Sequence, residues 1–376
     1  MDYEVIVLGV GGMGSATCWQ LAKRGVKAAG IDQFHRGHAH GSSHGQSRII
    51  RKAYFEHPDY VPLLLRAYKI WQDLEREAGL KLYHETGIVY CCPPESELLR
   101  GLKSASETYQ LTLETISQED IAKWFRPRQT SSGLPYEVVR EIEAGYLEVE
   151  NCVRAATAQA EKQGAIFYEN EKVERWSTEN SGVVVTTNQR VLRAKSLVIT
   201  AGAWTAQILK ELNLPLKVRK KSMYWFQATS DLMESEGLPC FLNETPEGIF
   251  YGFPMNDVSQ GMKIAEHTGG EPLQSPEAQN AQLDSEFERV VKYITDTMPG
   301  LTPQLLSHQP CMYTMTPDEN FIIDQHPTHQ NVFFAAGFSG HGFKFASVVG
   351  EILADLATTG STKAPIGFLR NRSFTN

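Results

Sequence analysis

Three glycines and one carboxylate near the N-terminus have the types and spacing needed to bind a dinucleotide. Gly9, Gly11 and Gly14 follow the pattern G-x-G-x-x-G. Gly9 permits a tight turn, Gly11 lets the backbone approach a pyrophosphate, and Gly14 lets the following helix lie close to the strand. The helix would direct its free N–H groups at the phosphates. Asp32 ends the next apolar run, about eighteen residues after Gly14, where a ribose-binding acid belongs.

Three cations could face an anionic group. Arg48 and Arg51 lie three residues apart, soon after the glycine unit. An exposed basic pair of this kind is also common on protein surfaces, and that alternative stays open from the residues alone. Lys344 follows Gly340 and Gly342 into a helix, where the helix dipole disfavours a cation. A ligand anion would explain this position; the alternative is a lysine that extends to solvent.

A histidine-rich stretch raises the possibility of a metal site. Four of the eleven histidines lie within residues 35–44. Neither a carboxylate nor a cysteine accompanies them there, and the neighbouring glycines favour an irregular loop over a metal site.

Composition restricts the partners and the compartment. The net charge of −8 and a pI near 5.8 argue against nucleic acid or an anionic membrane as partner. The six cysteines have no zinc-type spacing, which indicates a reduced cytoplasmic protein. The first strand begins at about residue 3, so we expect no signal peptide, and no apolar run reaches 18 residues.

The elements around these residues predict an α/β protein. The glycines stand between an apolar strand at residues 5–8 and a helical pattern at residues 15–23, the context that the dinucleotide fingerprint requires. A glycine turn of another α/β protein is the weaker alternative. A second strand and turn at residues 196–202 precede a helix predicted at residues 203–212, which indicates that the cofactor domain resumes there.

Other stretches predict a second unit. Residues 222–267 contain several short runs of strand-forming residues, which favours a mainly antiparallel sheet distinct from the parallel one. Helices are predicted at residues 58–79 and 284–298 from their apolar periodicity. A length of 376 residues suits two domains.

Several motifs, in order along nearly the whole chain, resemble the monomeric sarcosine oxidase family, which includes N-methyltryptophan oxidase and bacterial fructosyl amino acid oxidases. Besides the fingerprint, they are residues 41–51 (GSSHGQSRIIR), 251–254 (YGFP), Lys263, 311–313 (CMY), 321–324 (FIID) and 337–344 (GFSGHGFK). The resemblance implies a Rossmann-like FAD-binding domain interleaved with a substrate domain on a mainly antiparallel sheet. We assign residues 1–85, 146–220 and 321–376 to the FAD-binding domain, and 86–145 and 221–320 to the substrate domain.

The resemblance also implies roles for individual residues. FAD would be attached covalently, through Cys311. Arg51 and Lys344 would hold a substrate carboxylate, Tyr251 and His267 would line the amine site, and Lys263 would assist the reaction with oxygen. His44 and Arg48 would lie near the flavin ring. The implied FAD contacts also include Ser42, Val173, Gly202, Gly340, Gly342 and Lys344.

These roles imply a monomeric enzyme that oxidises the secondary amine of a small N-methyl amino acid, of the sarcosine or N-methyl-L-tryptophan type, with molecular oxygen. A fructosyl amino acid oxidase with the same flavin chemistry is the alternative. A positive site would favour the neutral amine that must form before a hydride equivalent leaves the neighbouring carbon. Aldehyde, demethylated amino acid and hydrogen peroxide would be the products. The substrate stays open, because residues 42–43 and 223–227 are closer to fructosyl amino acid oxidases, whereas His267 is closer to the N-methyl amino acid branch. A dehydrogenase with another acceptor and a non-catalytic nucleotide-binding protein are the remaining alternatives.

Overall fold

The strands of the computed structural model, which describes residues 1–179 and 182–372, form three sheets. The first sheet contains eight strands in the described residues, and its central pairs are parallel: β1 with β12 and β2, β2 with β9, and β12 with β20. Numbered along the chain, its strands are β1 (Tyr3–Leu8), β2 (Ala28–Ile31), β9 (Ile166–Tyr168), β10 (Val173–Glu179), β11 (Gly182–Thr187), β12 (Val191–Ile199), β19 (Ile322–Gln325) and β20 (Val332–Ala336).

The second sheet contains nine strands in the same part of the chain and is mainly antiparallel, with β14 and β5 as its one parallel pair there. Its strands are β5 (Ile88–Cys92), β6 (Glu114–Ile116), β7 (Glu137–Glu141), β13 (Lys217–Ala228), β14 (Cys240–Thr245), β15 (Gly248–Gly252), β16 (Met262–Glu266), β17 (Glu271–Pro272) and β18 (Leu301–Met315). A small third sheet pairs β8 (Gly145–Glu148) with β3 (Ser47–Ile50) and β4 (Tyr83–His84).

Three helices cover one face of the first sheet. They are α1 (Gly12–Lys23), α4 (Val149–Lys162) and α7 (Ala346–Thr359), and α1 packs against the other two. A Cβ at Gly350 would lie 2.6 Å from the Cβ of Ala16, so the glycine permits a close crossing of α1 and α7. The remaining α-helices of the described residues are α2 (Val61–Ala78), α3 (Glu97–Tyr109), α5 (Thr205–Ile208) and α6 (Ser285–Thr297).

The helices predicted at residues 58–79 and 284–298 are confirmed. A short 3-10 turn at Pro58–Tyr60 leads into α2, which Gly79 ends with a left-handed φ of 66°. The carboxylate of Asp284 accepts a hydrogen bond from the N–H of Glu286 and caps α6. The single helix predicted at residues 203–212 is wrong. Only α5 is α-helical there, because Leu209 leaves the helical region (φ −110°, ψ 42°) to be fully buried in the core.

The two large sheets confirm the predicted fold class, an α/β unit joined to a mainly antiparallel one. The domain limits stay a prediction. Among the described strands of the two large sheets, only β13 crosses one of these limits, and all the others lie within a single predicted domain, which supports the division. Residues 180–181 and 373–376 of the predicted FAD-binding domain lie outside the described residues. No helix of the described chain has the length and apolar character needed to cross a membrane.

Candidate active site

A single continuous cavity joins the glycine turn of the first sheet to the face of the second sheet, and most of the predicted site residues line it. Gly14, His44 and Lys263 do not line it. The predicted residues that do are Gly9, Gly11, Asp32, Ser42, Arg48, Arg51, Val173, Gly202, Tyr251, His267, Cys311, Gly340, Gly342 and Lys344.

One end of the cavity is built from the turn between β1 and α1. Gly9 has a φ of 88°, and a Cβ there would lie 2.6 Å from the carbonyl oxygen of Thr200. Gly11 caps α1 and has no side chain that could bind the first N–H groups of the helix. The N–H of Gly12 donates to Ser43 Oγ, and the others of the first turn remain available to a ligand. A Cβ at Gly14 would overlap the backbone of Gly9, so Gly14 serves helix packing and does not line the cavity.

Asp32 holds a buried carboxylate at the end of β2. Its Oδ2 accepts from the N–H of Val10 at 2.7 Å and its Oδ1 from the N–H of Phe34 at 2.9 Å. Each carboxylate oxygen can accept a second hydrogen bond. The side chain is therefore fixed and still able to accept from the hydroxyls of a ribose.

The histidine-rich loop packs beside this carboxylate. Phe34 stacks on His40 with ring centroids 4.3 Å apart, and His38 Nε2 lies 3.5 Å from Asp32. In residues 1–179 and 182–372, no three His, Cys, Asp or Glu side chains are arranged as a metal site. The imidazoles of His35, His38 and His40 form an aromatic cluster with Phe34.

Cys311 lies on β18 with its thiol buried beside a cation. Arg48 Nη2 lies 3.5 Å from the sulfur. Burial alone would raise the pKa of the thiol, but His44 and the charge of Arg48 lower the pKa of Cys311 to about 7. Ser42 donates to the carbonyl of Met312 at 2.7 Å and so links the loop after β2 to β18. The thiolate, which is the nucleophilic form, is thus accessible near neutral pH.

Arg51 is engaged by a carboxylate that sequence reasoning missed. Its Nη2 donates to both oxygens of Glu56, at 2.7 and 2.8 Å, and its Nη1 donates to the carbonyl of Ala53. Burial would raise the pKa of Glu56, but the charge and hydrogen bond of Arg51, together with His341 and Lys344, lower the pKa to about 2. An acidic residue five positions after the arginine was the available signal, but its orientation could not be read from the sequence.

Lys344 lies on the same aromatic ring as Arg51. The Lys344 Nζ is 5.2 Å and the Arg51 Cζ 4.3 Å from the centroid of Tyr54. The Nζ donates to the carbonyl of His341 at 2.8 Å. Burial and the nearby charge of Arg51 lower the pKa of Lys344 to about 7. Two cations therefore converge at one part of the cavity, and the expectation that Lys344 extends to solvent is excluded because the side chain is buried.

Aromatic side chains form the facing wall. The ring of His267 lies 6.4 Å from that of Tyr251 and 5.9 Å from that of Tyr313. Burial lowers the pKa of His267 to about 4, so its imidazole is neutral at pH 7. The wall adds polar groups to the cavity without adding positive charge.

Lys263 lies behind this cavity, on β16. Its Nζ donates to the carbonyl oxygens of Gly45 at 2.6 Å and Ser47 at 2.7 Å. It also lies 4.6 Å from the ring of Phe253. Burial and the charge of Arg48 lower the pKa of Lys263 well below its usual value. Two backbone carbonyls therefore bind the amine, and the hydroxyl of Ser47 lies 3.4 Å from it.

The donor set fits an FAD that spans the cavity. Free helix N–H groups suit a pyrophosphate, Asp32 suits a ribose, and the thiol of Cys311 lies on the second sheet beside Arg48. The two cations and the neutral aromatic wall suit a ligand with a carboxylate and an uncharged amine.

Comparisons with known proteins agree with this geometry. The family model described as FAD dependent oxidoreductase matches residues 4–356. The monomeric sarcosine oxidase of Arthrobacter sp. (strain TE1826) is 38% identical over 374 residues, covering 97% of this chain and 95% of that protein.

A second relative is the N-methyl-L-tryptophan oxidase of Citrobacter koseri, which is 34% identical over 361 residues, with 95% of each chain covered. Among solved structures, NikD, an amino acid oxidase of nikkomycin biosynthesis, superposes with a TM-score of 0.85 at 24% identity, covering 100% of this chain and 98% of that one. At this identity the structural likeness bears on the fold alone.

Proposed function

Since this chain belongs to the FAD-dependent oxidoreductase family, we propose that it oxidises the secondary amine of an N-methyl amino acid with molecular oxygen. The convergence of Arg51 and Lys344 on one aromatic ring, opposite Tyr251 and His267, carries the proposal. Two relatives at 38% and 34% identity, named for sarcosine and N-methyl-L-tryptophan respectively, support this substrate class. The products are an aldehyde, the demethylated amino acid and hydrogen peroxide.

The two cations orient the substrate through its carboxylate. A guanidinium can hold a carboxylate through two parallel hydrogen bonds, and the Lys344 ammonium adds a third donor. The guanidinium of Arg51 is already bound to the carboxylate of Glu56. To hold the substrate, it must either release Glu56 or bind both carboxylates at once. The positive surroundings and the neutral His267 favour the uncharged form of the substrate amine.

FAD would be held by the N–H groups after Gly11, by Asp32 and by Cys311. When bound, it accepts the electron pair from the carbon beside the amine nitrogen and passes it to oxygen. The chain positions the substrate, keeps the amine site largely shielded from water and supplies Lys263 as a cation for the oxygen reaction. Ser42, His44 and Arg48 would hold the loop around Cys311, while Val173, Gly202, Gly340 and Gly342 would leave room for the cofactor.

A peroxide assay on purified enzyme tests the proposal. We expect peroxide with sarcosine or N-methyl-L-tryptophan, and far less with glycine or tryptophan, the matched primary amines. Preference for fructosyl-valine would replace the substrate with that of a fructosyl amino acid oxidase. Turnover with an artificial acceptor but without peroxide would indicate a dehydrogenase, and colourless protein that binds no FAD would leave a non-catalytic nucleotide-binding protein.

Cys311 is proposed as the covalent link to FAD. Denaturation in acid should leave the yellow colour in the protein pellet of the wild type and release it to the supernatant in Cys311→Ser. Cys240→Ser is the matched control, because that thiol is also buried on a strand of the second sheet but does not line the cavity. Yellow colour in the supernatant of the wild type would remove the covalent link and keep the amine oxidase.

The lowered pKa of Lys344 predicts a pH dependence of carboxylate binding. Its pKa of about 7 must rise when an anion binds, so binding takes up a proton above pH 7. The affinity for acetate, measured by perturbation of the flavin absorbance, should therefore fall by up to about tenfold per pH unit above pH 7. Lys344→Met should bind more weakly and lose this dependence. An unchanged slope in that variant would assign the titration to another group.

Two further properties are proposed. A monomer is supported by the name of the Arthrobacter relative. A reducing compartment such as the cytoplasm is supported by the six cysteines, which are all buried and free of disulfides. Mass measurement in solution tests the first, and fractionation of the source cells tests the second.

A further inference from the structure

Glu150, a residue outside the cavity, binds the backbone of the loop that precedes β3. It lies in the first turn of α4, and its Oε1 accepts from the N–H of Gly45 at 2.7 Å while its Oε2 accepts from the N–H of Gln46 at 3.0 Å. The carboxylate therefore accepts hydrogen bonds from two successive backbone N–H groups of one loop.

The same loop supplies the oxygens that hold Lys263. Gly45 donates its N–H to Glu150 and accepts from the Nζ of Lys263 through its carbonyl. Ser47, one residue beyond Gln46, accepts from the same Nζ. A shift of the loop would thus move both carbonyl acceptors of the lysine.

The loop conformation needs an external partner. Gly45 and Gln46 both have positive φ, 86° and 69°. This region is open to glycine but unfavourable for a residue with a Cβ such as Gln46. Successive amides in such turns form a concavity that binds an anion. The carboxylate of Glu150 is that anion, so it stabilises the conformation that directs the two carbonyls at Lys263.

The charged groups around the loop also connect Glu150 with Lys263. The carbonyl of Ser47 accepts from Arg48 Nη1 at 2.9 Å as well as from Lys263. Two cations therefore share one backbone oxygen, and Arg48 opposes the protonated form of the lysine. Glu150 favours that protonated form, with smaller contributions from the thiols of Cys311 and Cys240.

We propose that Glu150 is a positioning residue for Lys263, which it holds in place through the Gly45–Ser47 loop during the reaction with oxygen. The inference rests on the oxygen role proposed for Lys263. In that reaction, two electrons from the reduced enzyme and two protons convert O2 to hydrogen peroxide, and negative charge develops on oxygen before the protons arrive. A cation displaced by a mobile loop stabilises that charge less.

The test is the rate at which the reduced holoenzyme reacts with oxygen, measured by stopped-flow absorbance after reduction with dithionite. Reduction by dithionite needs no amine, so the result is independent of the substrate assignment. We expect Glu150→Gln to slow the reaction by about 10-fold to 100-fold, as misplaced catalytic groups do. Reduction of the oxidised enzyme by the N-methyl substrate should stay within about twofold of the wild type, since Glu150 does not line the cavity.

Two further measurements separate positioning from a general structural effect. In a Lys263→Met background, Glu150→Gln should slow the oxygen reaction no further, because the group through which it acts is absent. The rate of the oxygen reaction should begin to fall at a lower pH in Glu150→Gln than in the wild type. The reason is that the Glu150 carboxylate stabilises the protonated form of Lys263, whereas the charge of Arg48 opposes it. Glu161→Gln is the matched control: it removes an acid of the same helix that pairs with Arg36, and we expect no change.

The outcomes are distinct. A normal oxygen rate in Glu150→Gln, with a slow Lys263→Met, would overturn the positioning role and leave the proposed function intact. A normal rate in Lys263→Met would overturn both the oxygen role and the inference. Additive losses in the double variant would show that Glu150 acts on something other than Lys263. If Glu150→Gln lost its flavin, Glu150→Asp, which keeps the charge with a shorter reach, would give the same measurements with a smaller loss.

Discussion

Replacing Lys263 with methionine should slow the reaction of the reduced enzyme with oxygen by about 100-fold or more, the loss typical when a preorganised charge donor is removed from a buried site. The physical reason is the burial of the lysine: its surroundings exclude water, so the ammonium is poorly screened. Methionine has a similar volume and keeps the packing against Phe253. Stopped-flow absorbance of the reduced enzyme mixed with oxygen measures the rate.

The second lysine of the site provides a matched control. Lys344 is also buried, but it lines the cavity beside Arg51, and its amine binds the carbonyl of His341 instead of the Gly45–Ser47 loop. Lys344→Met should therefore weaken substrate binding and slow reduction, while its oxygen reaction stays close to that of the wild type. A Lys263→Met enzyme with normal oxygen reactivity and slow reduction would reverse the two roles.

Replacing Arg51 with alanine should lower kcat/KM for the N-methyl amino acid by about 100-fold to 10,000-fold. The variant loses two charge-assisted hydrogen bonds to the substrate carboxylate, each of about 1.5–3 kcal/mol. Arg51→Lys should recover part of the loss, because it keeps the charge without the two-pronged geometry. Steady-state peroxide assays give kcat and KM separately, and we expect most of the change in KM.

Stability must be separated from binding in this variant. Glu56 is largely buried and would lose its partner, and an unpaired buried charge costs about 3–5 kcal/mol. We therefore expect a lower Tm for Arg51→Ala and a partial recovery in the double variant with Glu56→Gln. Lys52→Met is the neighbouring control, because that lysine pairs with the exposed Glu143 and does not line the cavity. If the double variant regained both Tm and kcat/KM, the loss would come from folding and not from carboxylate binding.

Local patterns were sufficient for the parts of the fold that depend on neighbouring residues. The strand, the glycine turn and the helix at residues 3–23 follow from apolar runs and from the backbone freedom of Gly9. The capped helices α2 and α6 were predicted for the same reason. The failure at residues 203–212 has a tertiary cause, since burial of Leu209 in the core outweighed the helical pattern.

Contacts between residues far apart in the chain could not be predicted from local sequence patterns. From the residues alone, Cys311 was one of six thiols, and only the family resemblance distinguished it. Its distinctive property is the guanidinium of Arg48 at 3.5 Å, which comes from a strand of the third sheet, 263 residues earlier in the chain. Strand pairing across the chain decides such a contact, and no local spacing encodes it.

The sequence by itself determined which chemistry is available: a pyrophosphate turn, a ribose acid, and cations suited to a carboxylate. Only the tertiary structure decided how those groups are paired. It joined Arg51 to Glu56, brought Lys344 to the same aromatic ring, and connected Glu150 to Lys263 through one loop. The physical reason is that the charge and pKa of a buried group depend on the neighbours that folding brings within a few ångströms, and these neighbours come mostly from distant parts of the chain.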